Sequence, residues 1–222
     1  GIVASDGERL ATYKRMGKVA DVFSQDDLSD LSGSAAIGHV RYSTTGSSVL
    51  KNAQPFAVAF NGTSLAIAHN GNITNAGELR AGLEREGALF HTTMDTEVIV
   101  HLLARSRAPR LTDRIREVMV VLEGAYSLAI LTPDRLVAVR DPHGFRPLVI
   151  GERDGAYFVA SETCALRLVE GAYVREVEPG EIVSFDRDGI HAEFGVPEGR
   201  VDRRHCIFEY IYFARPDSKL FG

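Results

Sequence analysis

Residues 124–151 read GAYSLAILTPDRLVAVRDPHGFRPLVIG, and this stretch decides the fold. Short apolar runs alternate with turn signals, Pro133-Asp134 among them, as successive strands do. Residues 128–131 and 148–150 are apolar without polar alternation, so their strands are expected to be covered on both faces. The run AYFVAS (156–161) follows the Asp154-Gly155 turn and reads as another strand. YVREVEPGEIVSFDRDGIHAEF (173–194) adds two or three more, with turns at 178–181 and 188–189.

Upstream the period changes from strand to helix. Asn75 followed by Glu78 has the form of a capping box. Ala76, Leu79 and Leu83 then share a face, and Gly87 is a stop signal. A second helix is predicted to open near Asp95, with Val98, Ile99, Leu102 and Leu103 as its apolar stripe. A third carries Leu111, Ile115, Val118, Met119 and Leu122. Before these helices, residues 2–5, 10–13, 35–42 and 65–69 read as strands, and the polar STTGSSVLKNAQ (43–54) as a long loop. Strands, then helices, then doubly buried strands predict an α+β sandwich, its sheets packed together and its helices outside.

Composition narrows the function classes. The chain has 222 residues, 45% hydrophobic and 25% charged, with a formal charge of -5. That balance carries no basic footprint for nucleic acid. No apolar run reaches the roughly 20 residues of a membrane helix. Two cysteines do not make a disulfide scaffold, and no signal peptide is present, so a reducing, cytoplasmic setting is expected. GIVAS at the start already reads as a strand and KLFG at the end closes no element. The expectation is a piece of a longer protein.

Several short stretches carry candidate chemistry. Asn70-Gly71 in SLAIAHNGNITN (64–75) is either a hairpin turn or a strand-to-helix corner. At such a corner the backbone N–H groups and the Asn amide point outward as donors and can form an oxyanion hole. Arg41 in GHVRYSTTG (38–46) is either an exposed edge residue or a bidentate carboxylate clamp. Ser43, Thr44 and Thr45 beside it offer hydroxyl donors. Asp95 is either a helix cap or the partner of a ligand ammonium. His91, Asp95 and Glu97 do not match a metal-site spacing. Cys164 opens a short apolar helix and is expected in the core; a thiol at a helix N-terminus can also be reactive. Cys206 precedes a run of aromatics.

Taken together and in order, these motifs resemble the glutaminase domain of the amidophosphoribosyltransferases, a family of class II glutamine amidotransferases. The matching stretches include GHVRYSTTGSS, NAQPF, AHNGNITN, TTMDTEV, GAYSLAIL, RDPHGFRPLVIG, ASETCAL, YVREVEPGEIV and CIFEYIYFARPDS. They span nearly the whole chain; HVRYST and HNGN are shared loosely across class II amidotransferases, whereas RDPHGFRPL, SETCAL and EYIYFARPDS are more specific.

The resemblance implies a four-layer αββα sandwich of the N-terminal-nucleophile hydrolase fold, truncated at its N-terminus. It implies glutamine hydrolysis, with ammonia channelled to a second domain, where it displaces pyrophosphate from phosphoribosylpyrophosphate to give phosphoribosylamine in the first committed step of purine synthesis. It assigns the Asn70 side-chain amide and the Gly71 N–H to the oxyanion hole, Arg41 to the glutamine α-carboxylate and Asp95 to its α-ammonium, with Thr44 assisting. The family nucleophile is an N-terminal cysteine, whereas residue 1 here is Gly1. Neither Cys164 nor Cys206 matches its position, so no glutaminase activity is expected of this chain alone. The absent first strand is expected to leave unpaired backbone groups and a hydrophobic slot in a sheet, each buried unpaired group costing about 1–3 kcal/mol. Residues 1–204 then form the glutaminase domain, and 205–222 begin a connection to an absent phosphoribosyltransferase domain. Part of the family carries a [4Fe-4S] cluster, for which Cys206 matches one ligand, against a plain, partly buried thiol. Mg2+ belongs to the transferase half, and the full-length protein is expected to be a homo-oligomer.

Two other readings compete. Another class II amidotransferase, such as one acting on fructose 6-phosphate, shares the fold, but the motifs at 141–148 and 206–218 oppose it. A non-catalytic glutamine-binding domain would keep Arg41, Asp95 and Asn70 without a nucleophile. The coding sequence upstream of Gly1 separates truncation from such a module.

Overall fold

The computed structural model describes residues 1–41, 49–60 and 62–221. Its strands are β1 (Ile2–Ser5), β2 (Leu10–Tyr13), β3 (Ala35–Gly38), β4 (Phe56–Phe60), β5 (Thr63–Ile73), β6 (Gly124–Leu131), β7 (Leu136–Arg140), β8 (Val149–Arg153), β9 (Ala156–Ala160), β10 (Ala172–Glu176), β11 (Glu181–Asp186) and β12 (Gly189–Phe194). Its helices are α1 (Val19–Val22), α2 (Gln25–Ser29), α3 (Ala76–Arg85), α4 (Thr96–Arg105), α5 (Leu111–Val121) and α6 (Thr163–Leu168).

A six-stranded antiparallel sheet, in the order β12-β11-β7-β6-β5-β4, forms the centre. The two-residue period of its strands sorts side chains onto two unlike faces. Leu65 and Ile67 of β5 and Val137 and Val139 of β7 meet Ile99 and Leu103 of α4 and Ile115 and Met119 of α5. Ala66 and Ala68, on the opposite face of β5, meet Val3 of β1 and Ile37 of β3. Ala138 of β7 and Val183 of β11 meet Leu148 and Ile150. On β5 the large side chains thus face the helices, and Ala66 and Ala68 let a second layer of sheet approach. Each fully buried Ile or Leu contributes about 1.5–3 kcal/mol relative to exposure.

That second layer consists of two three-stranded sheets, β2-β1-β3 and β10-β8-β9. The six-residue α6 lies over the latter: a Cβ on Gly151 would sit 2.6 Å from the Leu166 side chain. Strands β3 and β9 are the edges of their respective sheets. The end of β3 and the end of β9 border one cavity of about 270 Å³, floored by Ala68, Asn70, Ser127 and Leu128.

Two local expectations are corrected. Asn75 makes no side-chain cap on α3. Its amide instead donates to Val121 O at 2.9 Å and accepts from Glu123 N at 3.1 Å, tying the end of α5 to the start of α3. Asn70-Gly71 is neither a hairpin nor a corner. It lies inside β5, with Asn70 opposite Ser127 and Gly71 opposite Tyr126 on β6.

Candidate functional site

The site is built on the last residues of β5, where its neighbour on one side stops. Strand β4 pairs only as far as Phe56, opposite Ile67. Beyond that point side chains take over the ladder. The His69 N–H donates to Gln54 Oε1 at 2.7 Å, and the Ile73 N–H donates to Asp95 Oδ2 at 3.0 Å. N–H groups two residues apart in an antiparallel strand leave the same edge. The Gly71 N–H therefore lies between these two on that edge, where β4 offers no acceptor. Only glycine fits there: φ is +156°, and a Cβ would lie 2.0 Å from Ala125 O.

Asp95 stands opposite as the N-cap of α4, its Oδ1 accepting from Thr96 N at 2.8 Å. His69 Nδ1 lies 3.6 Å from the same oxygen. Burial pushes the Asp95 carboxyl up, but His69 and the N–H groups of Ile73 and Thr96 outweigh it and hold it below the ordinary carboxylate range. The loop before α4 is fixed from below. Glu97, buried, accepts from His91 N, Thr92 N and Thr92 Oγ1 at 2.8, 2.7 and 2.6 Å. Asn52 Nδ2 donates to Thr93 Oγ1 at 2.9 Å. With those bonds the Glu97 carboxylate is a structural anchor for the segment that presents Asp95.

Arg41 follows β3 and is half-buried. Next to it, the ring of His39 contacts His69 O at 3.1 Å. Burial lowers the His39 pKa to about 4, with the His69 ring, the Gly1 amine and Arg41 adding to the effect, so the ring is neutral at pH 7.

These elements converge. Arg41, Asn70, Gly71 and Asp95 all line one cavity of about 390 Å³, completed by His39, Gln54, His69, Arg146, Ser161 and Phe213. The volume falls in the range of small-molecule sites. A guanidinium, a carboxylate and a pair of amide donors share one hollow, which suits a zwitterion carrying a reactive carbonyl. Thr44, with Ser43 and Thr45, lies outside the described residues. Neither cysteine lines the cavity. Cys164 is only half-buried, correcting the expectation of a core position, and its thiol lies 3.9 Å from Glu162 Oε2. Cys206 is also half-buried. Among the described residues no group of three or more His, Cys, Asp or Glu is placed to hold a metal ion, and no helix is long and apolar enough to cross a membrane.

The profile of the glutamine amidotransferase domain matches residues 39–168. The chain belongs to that family. Over its full length it is 50% identical to the chloroplastic amidophosphoribosyltransferase 2 of Arabidopsis thaliana, of which it covers 39%. It is 46% identical over its full length to the amidophosphoribosyltransferase of Bacillus subtilis, of which it covers 46%. The solved structure of glutamine phosphoribosylpyrophosphate amidotransferase from B. subtilis, complexed with ADP and GMP, superposes with a TM-score of 0.92 at 45% identity, over 98% of this chain and 47% of that one. This chain thus spans less than half the length of these relatives. The shared architecture makes the α+β sandwich of this amidotransferase domain the N-terminal-nucleophile hydrolase fold.

Sequence reasoning named four residues that the structure brings into one cavity. It did not single out Gln54, His69 or Arg146. Gln54 had a legible signal, an amide just before Pro55 and a strand, but its partner is fifteen residues away on β5.

Proposed function

We propose that this glutamine amidotransferase domain is the glutamine-hydrolysing part of an amidophosphoribosyltransferase. One observation carries the reading: Arg41, Asp95, Asn70 and Gly71 line a single cavity. In it Arg41 holds the α-carboxylate of glutamine in a charge-assisted pair, and the Asp95 carboxylate, kept ionised by its N–H donors, takes the α-ammonium. Thr44 belongs to the same binding loop. The side-chain amide then rests against Asn70 and the Gly71 N–H. A thiolate attacks the amide carbon, the carbonyl oxygen becomes an oxyanion, and those two donors stabilise it. Collapse breaks the C–N bond, and nitrogen leaves as ammonia after taking up a proton. Water then hydrolyses the thioester to glutamate and restores the thiol.

Cys164 and Cys206 lie outside the cavity lining, so the thiolate comes from another segment. The cavity between β3 and β9 suits an extended strand, because both edges are open and Gly38, His39, Asn70 and Ser161 line it and the glutamine cavity alike. A strand seated there joins the two small sheets and delivers its end beside Asn70. In the whole protein ammonia passes through a channel to a phosphoribosyltransferase domain that follows residues 205–222, and the assembly is a cytoplasmic homo-oligomer. Mg2+ accompanies the phosphoribosyl substrate there. Cys206 supplies at most one thiolate to a [4Fe-4S] cluster, which needs four; the described residues assemble neither site, and no step is routed through them.

Calorimetric titration of this chain with glutamine tests the reading. Binding is expected, weakened at least tenfold by Arg41→Ala and by Asp95→Asn, with no glutamate released. Absence of binding, or binding indifferent to both substitutions, overturns the site. Glutamate release abolished by Arg41→Ala overturns the assignment of the nucleophile to another segment.

A further inference from the structure

The loop between β7 and β8 is pinned from two sides. Arg140, 1% exposed, donates from Nε to Arg146 O at 2.9 Å and from Nη2 to Gly144 O at 3.1 Å. Asp141, fully buried, accepts from the N–H groups of His143 at 2.8 Å and Phe145 at 3.2 Å. With its backbone held, the loop presents the Arg146 side chain to the glutamine cavity. There the guanidinium pairs with Glu209 and lies 4.3 Å from the ring centroid of Phe213.

Glu209 and Phe213 are the two ends of a π-helical turn, Glu209–Phe213. Short π-helical segments frequently sit at functional sites. Tyr210, Ile211 and Tyr212 between them are 50%, 68% and 66% exposed, whereas Glu209 is 3% exposed. The pattern is inverted, with aromatic and aliphatic groups outside and a carboxylate inside. A carboxylate is stable at such depth only when paired, and Arg146 is the partner. Phe213, at the far end of the turn, forms part of the cavity wall.

We propose that Arg146 and Glu209 are positioning residues, whose part-buried ion pair seats the turn at 209–213 so that Phe213 closes one wall of the glutamine cavity. The inference rests on the glutamine reading for the identity of the ligand, but not for the existence of the latch. Through this pair the shape of the cavity and the seating of residues 206–214 depend on each other. An occupied cavity holds the turn down, and a displaced turn opens the cavity.

Amide hydrogen exchange on the full chain separates the possibilities. In Glu209→Gln and Arg146→Met, exchange of 206–214 is expected to accelerate at least tenfold while β6 stays protected; Arg146→Lys restores part of the protection. Glu209→Gln preserves shape and decides the matter if Arg146→Met fails to fold. Unchanged exchange at 206–214 overturns the latch. Saturating glutamine is expected to slow exchange at 206–214 in the parent chain and to leave Glu209→Gln unaffected, a coupling that a merely structural pair would not produce. Equal slowing in both overturns the coupling. No glutamine binding by the parent chain, with the variants still accelerated, overturns the glutamine reading and leaves the latch standing.

Discussion

The floor of the cavity and its outer wall are held in opposite ways. The floor, from Gln54 through the end of β5 to the start of α4, is fixed by many bonds between side chains and backbone. Gln54 holds His69, Asp95 holds Ile73 and Thr96, and Glu97 holds His91 and Thr92. The wall at 209–213 is an exposed aromatic turn held from inside by the Arg146–Glu209 pair. Preorganised donors belong on a rigid floor, because donors that must reorganise lose their advantage when charge develops. A wall that must admit and release a ligand suits a tether of few polar bonds, here the Arg146–Glu209 pair beside ring contacts of Tyr210 with His205 and Phe221. On the proposed reading, the difference separates a part that would perform chemistry from a part that would control access to it.

The comparison breaks most readily at the floor. Glu97→Ala removes the acceptor for three donors in a buried setting. About 4 kcal/mol of stability is expected to be lost in urea unfolding. A loss below about 1 kcal/mol would mean that the floor is not held by these bonds. Gly71→Ala comes next. Its Cβ meets Ala125 O at 2.0 Å with φ at +156°, so β5 and β6 must separate locally. About 3 kcal/mol is expected to be lost, together with glutamine binding measured by calorimetry.

Acid sharpens the same contrast. The His39 pKa is lowered to about 4 by burial, so the unfolded chain binds the proton first as pH falls. Stability is therefore expected to decline between about pH 6.5 and pH 4, by up to about 3 kcal/mol. His39→Gln should flatten that window in thermal melts taken across it. The lowered Asp95 carboxyl acts in a separate window: its contribution is present above the ordinary Asp value and is lost only as pH falls below it. Asn75→Ala should cost about 1 kcal/mol through the lost tie to Val121 and Glu123. Glu78→Ala should cost less, since no capping box forms; equal costs would restore the box. The smallest effect belongs to the wall. Ile211→Ser, at a 68% exposed site, should change stability by less than about 0.5 kcal/mol.

The residues of the floor were legible in AHNGNITN and TTMDTEV, but their conformation was not. Asn-Gly is a strong turn signal on its own. Here it is overruled by pairing with Ser127 and Tyr126, more than fifty residues away. The apolar runs at 128–131 and 148–150 were read correctly as covered on both faces, because burial leaves its mark on the residues themselves. Arg146 was passed over because a single arginine between Phe145 and Pro147 carries no period. Its role depends on Glu209, which lies far along the chain.

The sequence by itself determined the long helices α3, α4 and α5 and most of the strands, but not α1, α2 or β4, since hydrophobic period is a local property of the chain that short elements barely display. Tertiary structure alone decided that β4 ends opposite Ile67 and so leaves the Gly71 edge open. It likewise decided that Asp95 faces that edge and that Arg146 meets Glu209 beside the cavity. The physical reason is that an exposed donor or a paired charge is defined by what stops beside it or reaches it from a distance, and no local pattern encodes either.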